Sequence, residues 1–146
     1  MTELDAIIAA PDDRLMRESG TWADRLLAIG ESILERWLIA QHRVPTRARS
    51  EGFRLLALHR QGAKSDPSFN ACRETCRELV YHHNLVRLEP GHPETPRRIR
   101  LGAMVARHLA LFIDGKLEVA GLGDFCCSSR SVRAGDNLSP GITDQG

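Results

Sequence analysis

Hydrophobic positions fall on helical stripes over most of the chain. Trp22, Leu26, Ile29, Ile33, Trp37 and Ala40 recur at steps of three and four, with Asp24, Arg25, Glu31, Glu35 and Arg36 off the stripe. This 3.6-residue period predicts an amphipathic helix from Thr21, a capping residue, to about Ala40. Pro45 closes it and biases Val44 toward extended backbone. A second helix is expected from about Arg47 to Gln61, where Phe53, Leu56 and Ala57 share a side and Leu55, Leu58 and His59 widen the apolar band. Gly62 is its natural stop.

The third helix has the clearest start. Asp66 is an N-cap candidate and Pro67 suits the first helical position, where its missing N–H costs nothing. Phe69, Cys72, Cys76, Leu79, His83 and Val86 keep three- and four-residue spacing until Pro90-Gly91-His92-Pro93 ends the run. Thr95-Pro96 repeats the device and opens a fourth helix to about Asp114, with Leu101, Val105, His108 and Phe112 on one face and Gly115 as its stop. Residues 1–20 are weakly patterned, with a break at Pro11-Asp12-Asp13. Lys116–Ala120 reads as a short strand or a further helical turn, within an appendage (116–127) that packs on the bundle. Residues 128–146, rich in Ser, Gly, Asn and Asp, read as a disordered tail. The expected fold is all-α: a small antiparallel bundle of about four helices over 21–115, with an irregular C-terminal appendage.

Composition narrows the class. A chain of 146 residues has room for one domain, and 42% hydrophobic with 27% charged residues reads as globular. The acidic opening Met1-Thr2-Glu3-Leu4-Asp5 does not resemble a secretory leader, and the best apolar stretch, Leu101–Ile113, is short and interrupted by Arg107 and His108. A cytoplasmic protein with no membrane span is therefore expected. Net charge is only +1, lower than a free-standing nucleic-acid binder usually carries. The charge is segregated, however: residues 1–40 carry −4, residues 41–107 carry +7 and residues 108–146 carry −2. Eighteen of the twenty basic residues are Arg, the side chain suited to bidentate contact with carboxylate or phosphate.

Four cysteines, Cys72, Cys76, Cys126 and Cys127, supply the candidate chemistry. In a reducing compartment structural disulfides are uncommon, and buried cysteine often serves as a small hydrophobe. Residues four apart on a helix nevertheless present their Cβ atoms about 5–6 Å apart on one face, within reach of a shared metal. With the third and fourth helices antiparallel, Cys72 stands roughly 8 Å above the start of the third and His108 roughly 9 Å above the end of the fourth, by the helical rise, hence at a similar height. Cys126 could fold back to that level. The expected ligand set is Cys72, Cys76, His108 and Cys126, holding a zinc ion or an iron–sulfur cluster. His83, about 10 Å beyond Cys76 along the axis, is too far to join it. It reads as a core histidine, and His82 beside it as solvated. The adjacent Cys126 and Cys127 could instead form an exposed reactive thiol site.

The sequence contains no nucleophile elbow, phosphate loop or zincin motif. Arg47, Arg49 and Arg54 near the second helix, and Arg97, Arg98 and Arg100 opening the fourth, are candidates to contact a partner or an anion. Three cations at a helix start oppose the macrodipole, so they call for an acidic surface, such as the chain's own N-terminal segment or an acidic partner. The expected function is that of a small helical accessory or regulatory protein that binds a larger protein. A metal, iron–sulfur or redox-thiol protein is the alternative, and a nucleic-acid-binding regulator the second.

Overall fold

The computed structural model describes residues 2–64 and 66–121, and they form an all-α fold. In chain order the elements are α1 (Glu3–Ala9), α2 (Asp12–Arg17), α3 (Ser19–Ala40), α4 (Arg54–Ala63), a 3₁₀ turn (Pro67–Cys72), α5 (Arg73–Leu88) and α6 (Thr95–Ala120). The chain divides into two compact units, residues 1–115 and 116–146; of the second, only residues 116–121, the end of α6, are described.

Side-chain contacts fix the directions of the helices. Asp24 meets His83, a Cβ on Gly30 would meet Leu79, and Trp37 stacks on Phe69, so α3 and α5 run antiparallel. His82 approaches Gly102 and Phe69 meets Phe112, so α5 and α6 are antiparallel too. Short Pro-rich connections favour that arrangement. Leu55 of α4 lies over Gly30, and Arg54 reaches Glu31 and Glu35, which sets α4 across α3. The core combines Leu26, Leu34, Trp37 and Leu38 with Leu55, Leu58, Phe69, Leu79, Ile99, Leu109 and Ile113.

Several boundaries differ from those the pattern predicts, for local reasons. α4 begins at Arg54 rather than Arg47 because Glu51 and Gly52, both at positive φ, make a tight turn closed by paired Ser50 and Phe53 hydrogen bonds of 3.0 Å. The third expected helix is split: Asp66 makes no side-chain cap, and the 3₁₀ turn precedes the α-helix proper. α6 passes through Gly115 and stops at Gly121, whose φ of 70° suits the residue that follows a helix end. Lys116–Ala120 is therefore helical.

Residues 1–20 are more ordered than their weak pattern suggests. Thr2 and Asp5 form a reciprocal capping box on α1. Leu4, Ile7 and Leu15 are buried, while Glu3 grips Arg25 through two contacts of 2.6 Å. Asp5 pairs with Arg107 and Asp12 with Arg100, so the acidic N-terminal segment meets basic residues of α3 and α6. Ile7→Ala should lower the unfolding free energy by about 2–5 kcal/mol in urea titrations; an unchanged midpoint would contradict the burial of α1.

His82 is half-buried beside Ile99 and Gly102, with its Nδ1 shielded and unbonded among the described residues. It is thus not solvated, as its position beside His83 suggests from sequence. Burial lowers its pKa from 6.5, opposed by Glu78 and assisted by Arg98. The folded state therefore binds the proton less readily than the unfolded chain, and stability should fall as pH drops below about 6.5. His82→Gln should flatten that part of the stability–pH curve; an undiminished slope would assign the pH dependence elsewhere.

Candidate functional site

The site is assembled around Phe69. Pro67 starts the 3₁₀ turn, which drives the Phe69 ring fully into the core. The ring lies 6.1 Å from Trp37, 5.5 Å from His59 and 6.1 Å from Phe112, centroid to centroid. Gly62 makes this approach possible, because a Cβ there would stand 2.6 Å from the ring. The Phe69 carbonyl accepts from Cys72 Sγ at 3.3 Å and lies 3.2 Å from His59 Nε2. A carbonyl can only accept, so Nε2 carries the proton in that contact.

Cys72 and Cys76 are free thiols, both buried and one helical turn apart. Cys72 occupies the N-cap position of α5, where helix dipoles favour negative charge. Its pKa is pulled down, first by the neighbouring Cys76 thiol, against burial, with His59 adding a favourable interaction. Cys76 moves the other way, pushed up by the neighbouring Cys72 and by burial. One thiol of the pair is therefore primed as the thiolate, and the other retains its proton.

Above this cluster lies a groove of about 720 Å³. Arg49, Arg60, Lys64 and Arg73 line it, His59 contributes to its wall, and none of its described lining residues is acidic. Asn70 and Arg73, which bracket Cys72 in sequence, also line it. Arg60 bonds Ser50 Oγ at 3.0 Å, and Arg73 makes an exposed contact of 3.6 Å with Glu74. Glu51, which feels both Arg60 and Arg73, is held bidentately by Arg77 at 3.0 and 3.1 Å. The neighbouring groove, about 830 Å³, differs in kind: Asp24, Glu31 and Glu35 line it together with Arg47, Arg49 and Arg54.

The expected ligand set is only partly assembled. Cys72 and Cys76 come together, but His108 is exposed, and the histidine beside the thiols is His59. Phe112, on the next turn of α6, touches Phe69, whereas His108 faces away from the thiols. α6 buries Ile99, Ala103, Ala106, Leu109 and Ile113, turning His108 to solvent. Cys126 and Cys127 lie outside the described residues. Among those described, no three His, Cys, Asp or Glu side chains form a group able to hold a metal ion.

The six candidate arginines divide. Arg47 and Arg49 are exposed and make no ion pair among the described residues. Arg54 is engaged by Glu35 at 2.5 Å, Glu31 at 3.4 Å and the Thr46 carbonyl. Arg98 pairs with Glu89, Arg97 more loosely with Glu94, and Arg100 with Asp12 and the Ala10 carbonyl. The cations opening α6 are thus matched within the chain. Arg60 and Lys64, one helical turn apart, make no ion pair among the described residues and share the first groove with Arg73, whose contact with Glu74 is exposed and loose. His59 hides in sequence because it occupies an apolar stripe between Leu55 and Gly62.

Comparison with protein-family models, with curated proteins and with solved structures finds no match. The chemistry on offer is therefore that of the site itself: anion binding in the groove and nucleophilic thiol chemistry below it. With Cys126 and Cys127 replaced by Ser, ultraviolet thiolate absorbance should titrate one buried thiol below the ordinary cysteine range. Cys76→Ala should shift that midpoint upward; the same midpoint in both proteins would contradict the role given to the thiol pair.

Proposed function

We propose that the chain is a small helical accessory protein that binds a larger protein, receiving an acidic segment of it in the groove lined by Arg49, Arg60, Lys64 and Arg73. The observation that carries this reading is the charge of that groove: four cations without a lining carboxylate, in a chain whose other basic clusters are paired internally. Arginine and lysine at close quarters attract carboxylates, and arginine does so with two-pronged geometry. A compact cationic pocket on a nearly neutral chain suits a short acidic peptide better than the long uniform track of a nucleic-acid backbone. The free buried thiols agree with a reducing, cytoplasmic setting. No helix among the described residues is long and apolar enough to cross a membrane.

Fluorescence anisotropy with a labelled oligo-glutamate peptide tests the reading directly. Binding should weaken with added salt, and Arg60→Glu or Lys64→Glu should each reduce affinity by about tenfold, the equivalent of one charged hydrogen bond. Arg97→Glu, outside the groove, should leave affinity unchanged. Equal binding by the groove variants and the parent, or tighter binding of duplex DNA than of the peptide, would contradict it.

A further inference from the structure

We propose that Cys72 is a peroxide-reactive thiol and Cys76 its resolving partner, so that hydroperoxides convert the pair to an intramolecular disulfide. The proposal is independent of the partner-binding reading. It rests on two buried sulfurs one helical turn apart, the Phe69 carbonyl that meets both Cys72 Sγ and the His59 imidazole, and the position of Cys72 at the start of the 16-residue helix α5.

The reaction closes in two steps. Cys72 releases its proton to water, and the thiolate attacks one oxygen of the hydroperoxide; an S–O bond forms as the O–O bond breaks. The departing oxygen takes a proton from water and leaves as an alcohol, or as water from hydrogen peroxide. Cys76 sulfur then attacks the Cys72 sulfenic acid; an S–S bond forms, the S–O bond breaks, and hydroxide leaves with the Cys76 proton as water. The peroxide gains two electrons, and the two thiols supply them.

Geometry also sets who can enter. Both sulfurs are buried, so a reagent must come through the groove wall formed by His59, Asn70 and Arg73. The 3₁₀ turn at Pro67–Cys72 is the element able to yield, because its hydrogen-bond geometry is poorer than that of an α-helix. Helical i,i+4 Cβ atoms stand about 5–6 Å apart, against the 3.5–4.5 Å of a disulfide. Closure therefore requires movement at Cys72, which lies at the junction and outside regular α geometry, with φ −99° and ψ 10°. Small hydroperoxides should enter where bulky maleimides do not.

The test uses the full chain with Cys126 and Cys127 replaced by Ser, treated with hydrogen peroxide under native conditions and read by intact-mass and peptide mass spectrometry. The folded protein should lose two hydrogens and show a Cys72–Cys76 linkage that thiol reductants reverse. Cys76→Ser should stop at a sulfenic acid on Cys72, trapped by dimedone, and Cys72→Ser should lose the reaction. Should either variant fail to fold, the linkage map of the parent still decides. Thiols that stay reduced until denaturant unfolds the chain would overturn the proposal, as would dimedone labelling of Cys76 in place of Cys72.

Discussion

Phe69 is the constraint on which the rest of the structure depends. Its ring fills the space between α3, α4 and α6, against Trp37, His59 and Phe112. Its carbonyl is the acceptor shared by His59 and Cys72. A single residue thus links apolar packing to polar chemistry. Aromatic rings bury large areas and favour offset or edge contacts, so the packing also fixes orientation. The absence of a side chain on Gly62 is part of the same arrangement, since a methyl group there would collide with the ring face.

Charge is used in two ways on this scaffold. One set of ion pairs, Glu3 with Arg25, Asp5 with Arg107 and Asp12 with Arg100, joins the acidic N-terminal helices to basic residues elsewhere. Such exposed pairs add little individually, and here they fix position around the buried Leu4, Ile7 and Leu15. The second set lies at the groove of Arg49, Arg60, Lys64 and Arg73, whose described lining holds no carboxylate. The distinction between matched and unmatched cations, more than the number of arginines, is what points to binding.

Much of the fold is legible in the residues because helical periodicity reports the buried face of long helices. Leu26, Ile33 and Trp37, and likewise Cys72, Cys76, Leu79 and Val86, are buried on the stripes that sequence predicts. Short elements escape: α1 and α2 are too brief for a period, and their order comes from tertiary ion pairs and burial. α6 is misread by a rotation, because a broad apolar helix offers two plausible faces and small Ala103 and Ala106, not Leu101 and Val105, take the close approach. That rotation turns His108 outward. The pairing of the two thiols was visible in their spacing, whereas His59 comes from another helix and no local pattern marks it.

The most direct measurement of the central role of Phe69 is a pair of titrations on Phe69→Ala, urea unfolding and ultraviolet absorbance of the Cys72 thiolate. Loss of the ring should cost about 3–5 kcal/mol, and His59, no longer held by that ring beside Cys72, should let the thiol midpoint rise toward its ordinary value. A loss below about 1 kcal/mol, smaller than that usual for a buried aromatic, together with an unmoved thiol midpoint would contradict the account.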